Sequence, residues 1–152
     1  MGATPAMKRL FCLVLALLGA CANVRIPPEE GAGPVRVPPE PRLAEPEATE
    51  VVVVINHNAI GGTHAGMFAG ARLSDPSGSY VSERSRDPAW RGPTLNDYVR
   101  FQLEDGEDVR VYRFRLEARD FAMIDERLRA EGVTAPLFCA ATVQNHLAGV
   151  GP

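Results

Sequence analysis

Cysteine is scarce in this chain: only Cys12, Cys21 and Cys139 occur. Two of them sit in the N-terminal leader, so the body keeps one thiol and cannot close an internal disulfide. Aromatic residues are few, at 7% with a single tryptophan, Trp90, which leaves no row of stacking platforms. No basic block follows the leader and the formal net charge is only −3, so nucleic-acid binding has no electrostatic support. A close-spaced Cys/His pattern of the metal-binding kind is missing, as is any Gly-x-Ser-x-Gly elbow that would activate a serine. His57, His64 and Asp75 are thus weak metal candidates, and neither metal nor cofactor is expected. There is no internal repeat.

What is present begins with a leader. Lys8 and Arg9 form a positive n-region, and Leu10 to Leu18 an unbroken apolar run. At about nine residues, the run suits a signal h-region and falls well short of the roughly 20 needed to span a bilayer. Met7 directly precedes the charged pair and is an alternative start. Leu18-Gly19-Ala20-Cys21 closes the run with the pattern of a bacterial lipoprotein signal, in which Cys21 receives the lipid. Residues 1–21 are therefore read as a signal peptide with its lipobox. Ala22 in the next position, in place of aspartate, resembles diderm lipoproteins sorted to the periplasmic face of the outer membrane. The lipid would be the membrane anchor.

Residues 22–50 are rich in Pro, Glu, Ala and Arg and poor in large apolar side chains. Such a stretch offsets little of its ordering entropy, so an extended, partly polyproline tether is expected. Residues 51–152 are sufficient for one small domain, expected to be monomeric. Val51 to Ile55 is a β-branched run that predicts a strand buried on both faces. Thr63 to Ala69 and Arg72 to Ser74 continue as short strands. Asp75-Pro76-Ser77-Gly78 carries type I turn chemistry. Ser82 to Pro93 reads as a loop. Thr94 with Asp97 resembles a capping box, opening a helix to about Glu104. Val109 to Leu116 predicts a strand whose phase shift suggests a bulge. A helix over about Asp120 to Ala130, stopped by Gly132, is followed by another in which Pro136 takes the first position and Cys139 lies in the opening turn. The order β-β-β, helix, β, helix, helix is that of an α+β domain.

A thiol at a helix start meets the positive end of the dipole and unsatisfied N–H groups, which favour thiolate and can hold an oxyanion. Such a nucleophile needs an imidazole in reach and a polar group to orient that imidazole. His146, seven residues along the same helix, is about 10 Å away and excluded as a direct partner. His57 lies in an Asn/Gly-rich loop that can line a site mouth. His64 opens a strand whose Ala65 and Gly66 allow close approach of another backbone. The plainer alternative for Cys139 is a small buried hydrophobe beside Leu137 and Val143.

Thr63-His64-Ala65-Gly66-Met67-Phe68 and the later Pro136-Leu137-Phe138-Cys139-Ala140-Ala141-Thr142-Val143 resemble the circularly permuted branch of the NlpC-type papain-like superfamily. There the histidine strand precedes the cysteine helix, a layout shared with the lecithin:retinol acyltransferase group. The resemblance covers about Val51 to Val150 and rests on those two short motifs. It implies a small papain-like domain with Cys139 as nucleophile and His64 as general base. Asp75, eleven residues after His64, falls near the third position; Ser77 or Asn56 are alternatives, and Asp75 also suits a turn cap. Asn56, His57 and Tyr80 would line the substrate site. The implied activity is hydrolysis or acyl transfer at an amide or ester, in peptidoglycan or a lipid. A catalytically silent lipoprotein that binds a wall fragment or envelope protein is the alternative, and disulfide capture through Cys139 a third.

Overall fold

The β-branched run Val51 to Ile55 becomes the enclosed centre of a sheet. The computed structural model describes residues 35–36, 40–59, 62–131 and 138–150. In these, β1 (Val35–Arg36), β2 (Glu50–Asn56), β3 (His64–Ala69), β4 (Arg72–Ser74) and β5 (Val109–Arg115) form one antiparallel sheet, ordered β1-β5-β2-β3-β4. Among the same residues the helices are α1 (Ser79–Arg84), α2 (Leu95–Asp105), α3 (Ala118–Ala130) and α4 (Cys139–Leu147). The fold is α+β.

Strand alternation sends successive valines of β2 to opposite faces. Val52 and Val54 join Phe68, Val109 and Val111 under Leu95, Tyr98 and Val99 of α2 and Tyr80 of α1. Val51 and Val53 join Ala65, Met67 and Ala69 under Ile124 and Leu128 of α3 and Val143 of α4. Helices thus cover both faces, which is why β2 needs no polar residue between its ends. The same arrangement removes the expected bulge in β5. Val109 and Val111 serve one face while Tyr112 and Phe114 serve the other, and pairing with β2 is continuous from Asn56↔Val109 to Glu50↔Arg115.

Two further differences matter. Residues 79–84, partly inside the expected Ser82–Pro93 loop, form α1. Gly78 precedes it at φ 68°, a left-handed conformation that suits glycine, and the Asp75 carboxylate accepts the Tyr80 N–H at 3.0 Å. The folded unit also starts before Val51, within Ala32–Pro152. Leu43 packs on the first core face, its N–H donating to Asn96 Oδ1 at 2.8 Å, and Glu45 Oε2 accepts from the Leu95 N–H at 2.8 Å. Proline-rich composition hid this docking, because few residues carry it. The capping box is only half formed: Thr94 Oγ1 accepts the Asp97 N–H at 3.2 Å. The leader, Cys21 and most of the expected tether lie outside the described residues, as do Gly132 and Pro136.

Arg113 fastens the early segment to the sheet. Its guanidinium grips Glu50 through two bonds, 2.9 and 2.7 Å, and also donates to the carbonyls of Ala44 and Glu45. Glu50 is buried, and Arg113 holds its carboxyl below the usual carboxylate range. That stabilisation is complete above the ordinary glutamate value and fades as pH falls through the lowered one. Arg113→Ala strands a buried carboxylate and is expected to cost about 3 kcal/mol near neutral pH. In urea titrations the deficit should narrow as acid protonates Glu50; a pH-independent deficit would assign the loss to packing alone.

Candidate active site

The chemistry-bearing residues collect where the sheet is one strand short. β4 pairs only with Met67 to Ala69, through Met67↔Ser74, Phe68↔Leu73 and Ala69↔Arg72. Beyond Ser74 the chain leaves the sheet at Asp75, so His64, Ala65 and Gly66 form an edge without a β4 partner. A polar cluster occupies that edge.

Asp75 is its centre. The side chain is 1% exposed, yet its oxygens have abundant partners. Oδ1 lies 3.4 Å from His64 Nε2 and accepts the Ser77 hydroxyl at 3.1 Å. Oδ2 accepts the Tyr80 N–H, and the Asp75 carbonyl accepts the Gly78 N–H at 2.8 Å, closing the turn. A buried carboxylate must be paired and hydrogen-bonded to be tolerated, and here one oxygen caps a helix while the other faces an imidazole. Turn cap and histidine partner, read from the sequence as competing roles for Asp75, coexist.

Cys139 is the first residue of α4, buried at 6% exposure, and is the one free cysteine among the described residues. α4 packs on β3, and the thiol lies near enough to the turn to feel the Asp75 charge and the Ser77 N–H. Its pKa is raised, first by burial and then by the Asp75 carboxylate, against smaller help from the N–H groups of Cys139 and Ser77. This corrects the expectation of a helix-start thiolate. Desolvation and a neighbouring negative charge outweigh the helix amides and favour the thiol over the thiolate.

The three residues proposed as substrate contacts divide. Asn56 is fully buried, donating from Nδ2 to the Gln102 carbonyl at 2.8 Å and accepting the Asn58 N–H at 3.3 Å. It closes the end of β2 onto α2 and presents nothing to a substrate, nor does it orient His64. Tyr80 is likewise fully buried, its hydroxyl donating to Asp97 Oδ2 at 2.9 Å. Burial and Asp97 push that phenol up to about 12. Its contribution to the site is its backbone N–H. His57 is exposed beside the His64 end of the sheet, its N–H bonded to the Asp108 carbonyl. Ser77 orients Asp75 and not the imidazole.

His146 is buried, with Nε2 3.3 Å from Glu131 Oε2, and its carbonyl accepts from Arg127 at 2.6 Å. It anchors the far end of α4. Among the described residues no group of three His, Cys, Asp or Glu side chains could hold a metal ion. Tyr98 is a site residue outside the motifs read from the sequence: its hydroxyl lies 3.2 Å from His64 Nε2. The glycine at position 66, opposite that phenol, is the sequence signal that could have found it.

Comparison with protein-family models, with curated proteins and with solved structures gave no match.

A raised thiol pKa has a measurable consequence. Iodoacetamide alkylation of Cys139 near neutral pH should be slower than that of a small free thiol, its rate still climbing beyond the ordinary cysteine value of about 8.5. Asp75→Asn should move the midpoint down, since one repulsive charge is gone while burial remains. The folded state holds the thiol proton more tightly than the unfolded chain, so stability is lost as pH rises through the raised value. An alkylation plateau in mild acid would contradict this environment.

Proposed function

We propose that this protein is a thiol-dependent acyl hydrolase or acyltransferase, with Cys139 as nucleophile, His64 as general base and Asp75 orienting the imidazole. The observation that carries the reading is that one buried carboxylate lies 3.4 Å from His64 Nε2 and also acts on the Cys139 thiol. Cys139 lies 64 residues beyond Asp75, and a core would gain nothing from assembling an acid, an imidazole and a thiol.

An environment that favours the thiol fits general-base catalysis better than attack by a preformed thiolate. Cys139 Sγ adds to the acyl carbonyl as its proton passes to His64. The tetrahedral oxyanion meets the N–H groups at the start of α4. Collapse breaks the bond to the leaving alcohol or amine, which takes the proton from His64, and leaves a thioester on Cys139. Water, or a second alcohol or amine, then adds to the thioester with His64 again as base and restores the thiol. The resemblance to the permuted papain-like group supports a peptidoglycan amide or a lipid acyl bond as the target. The lipobox at Cys21 supports anchoring in the cell envelope, on the periplasmic face of the outer membrane.

The test is acylation by p-nitrophenyl acetate, followed as a p-nitrophenol burst and an acetyl adduct on Cys139 by mass spectrometry. Wild type should acylate at least about a hundredfold faster than His64→Ala, and Cys139→Ser should show no burst. The raised thiol pKa also fits a catalytically silent binder. Equal, slow acylation in wild type and His64→Ala would favour that second reading and end the first.

A further inference from the structure

Building on the catalytic reading, we infer that Tyr98 is a positioning residue for His64, holding the imidazole as the Nε2–H tautomer so that Nδ1 carries the basic lone pair. Tyr98 comes from α2, on the opposite side of the sheet from α4, and its side chain is fully buried. Its hydroxyl is 3.2 Å from His64 Nε2, the same nitrogen that faces Asp75 Oδ1 at 3.4 Å.

The direction of these bonds follows from the donors and acceptors present. An ionised carboxylate only accepts, so Nε2, which faces Asp75 Oδ1, carries the hydrogen, and the Tyr98 oxygen is a second acceptor within reach of the same N–H. Burial first and then the Asp75 charge raise the phenol's pKa well above the usual range, which keeps the hydroxyl protonated.

The surrounding sequence is shaped to admit this phenol. A Cβ on Gly66 would collide with the Tyr98 hydroxyl and lie 2.7 Å from its Cζ. The glycine two positions after His64 is therefore a requirement of space for Tyr98. The ring is fixed from its other sides by edge contacts with Phe68 and Tyr80, at centroid distances of 5.8 and 5.1 Å. A residue serving only to fill the core would not need its polar end between an imidazole and a buried acid.

Tyr98→Phe keeps the ring and removes the hydroxyl. At a pH where the imidazole is neutral, long-range proton–nitrogen NMR should show His64 of wild type wholly as the Nε2–H tautomer. In Tyr98→Phe the Nε2–H keeps only its 3.4 Å contact with Asp75, so its resonance should shift and broaden as the ring loses its second anchor, with acylation of Cys139 about tenfold slower. An Nδ1–H tautomer in wild type, or an unchanged Nε2–H resonance and rate in a folded Tyr98→Phe, would overturn the inference. If His64→Ala leaves acylation unchanged, the catalytic reading fails, while the tautomer still reports on Tyr98. Should Tyr98→Phe not fold, 3-fluorotyrosine replacement preserves the shape and makes the phenol a stronger donor. A His64 Nε2–H resonance that it leaves unmoved would equally count against the role of Tyr98.

Discussion

Much of this molecule is arranged around a buried carboxylate that cannot be left alone. Asp75 sits 1% exposed between a sheet edge and a helix start, and an ion in that position needs several donors. The Tyr80 N–H supplies one and thereby begins α1. The Ser77 hydroxyl supplies another and holds the turn. His64 Nε2 faces the remaining side at 3.4 Å. Ser77 lies in the turn, Tyr80 on α1 and His64 on β3, so satisfying the charge fixes the turn, the short helix and the imidazole together.

The topology makes room for that charge. β4 is only three residues long, and its early end exposes the His64 to Gly66 edge of β3. A longer β4 would have covered the edge with backbone hydrogen bonds and excluded both Asp75 and the phenol. On one side α2 brings Tyr98, and on the other α4 brings Cys139, so both helix layers converge on the same gap. The cost of the arrangement falls on the thiol. Burial and the nearby acid raise its pKa, and in the proposed mechanism proton removal falls to the imidazole.

The fold class and most elements were legible because their signals are local. Five β-branched residues predict an enclosed strand, Thr94 marks the start of α2, and Asp75 to Gly78 forms the turn its composition suggests. The pairing of His64 with Asp75 was accessible through the resemblance. What escaped notice depended on tertiary contacts. Proline-rich residues 40–49 give no local sign of docking, because Leu43, Glu45 and the carbonyl of Ala44 find their partners fifty or more residues away. Nothing local marks Tyr80 or Asn56 as buried; Tyr80 is enclosed against Asp97 and Asn56 bonds to Gln102, both tertiary contacts. The thiol's acidity was misjudged because the helix-start rule is local, whereas desolvation and the Asp75 charge are not.

The central claim is that Asp75 acts on the thiol chemistry through His64 and not merely as a turn cap. The most direct measurement is a double-mutant cycle on the acylation rate of Cys139, using Asp75→Asn, His64→Ala and the pair. If the two residues form one unit, Asp75→Asn slows wild type substantially, and the double variant is no slower than His64→Ala alone. Equal fractional losses in both backgrounds would show that Asp75 and His64 act independently, and the proposed triad would have to be abandoned.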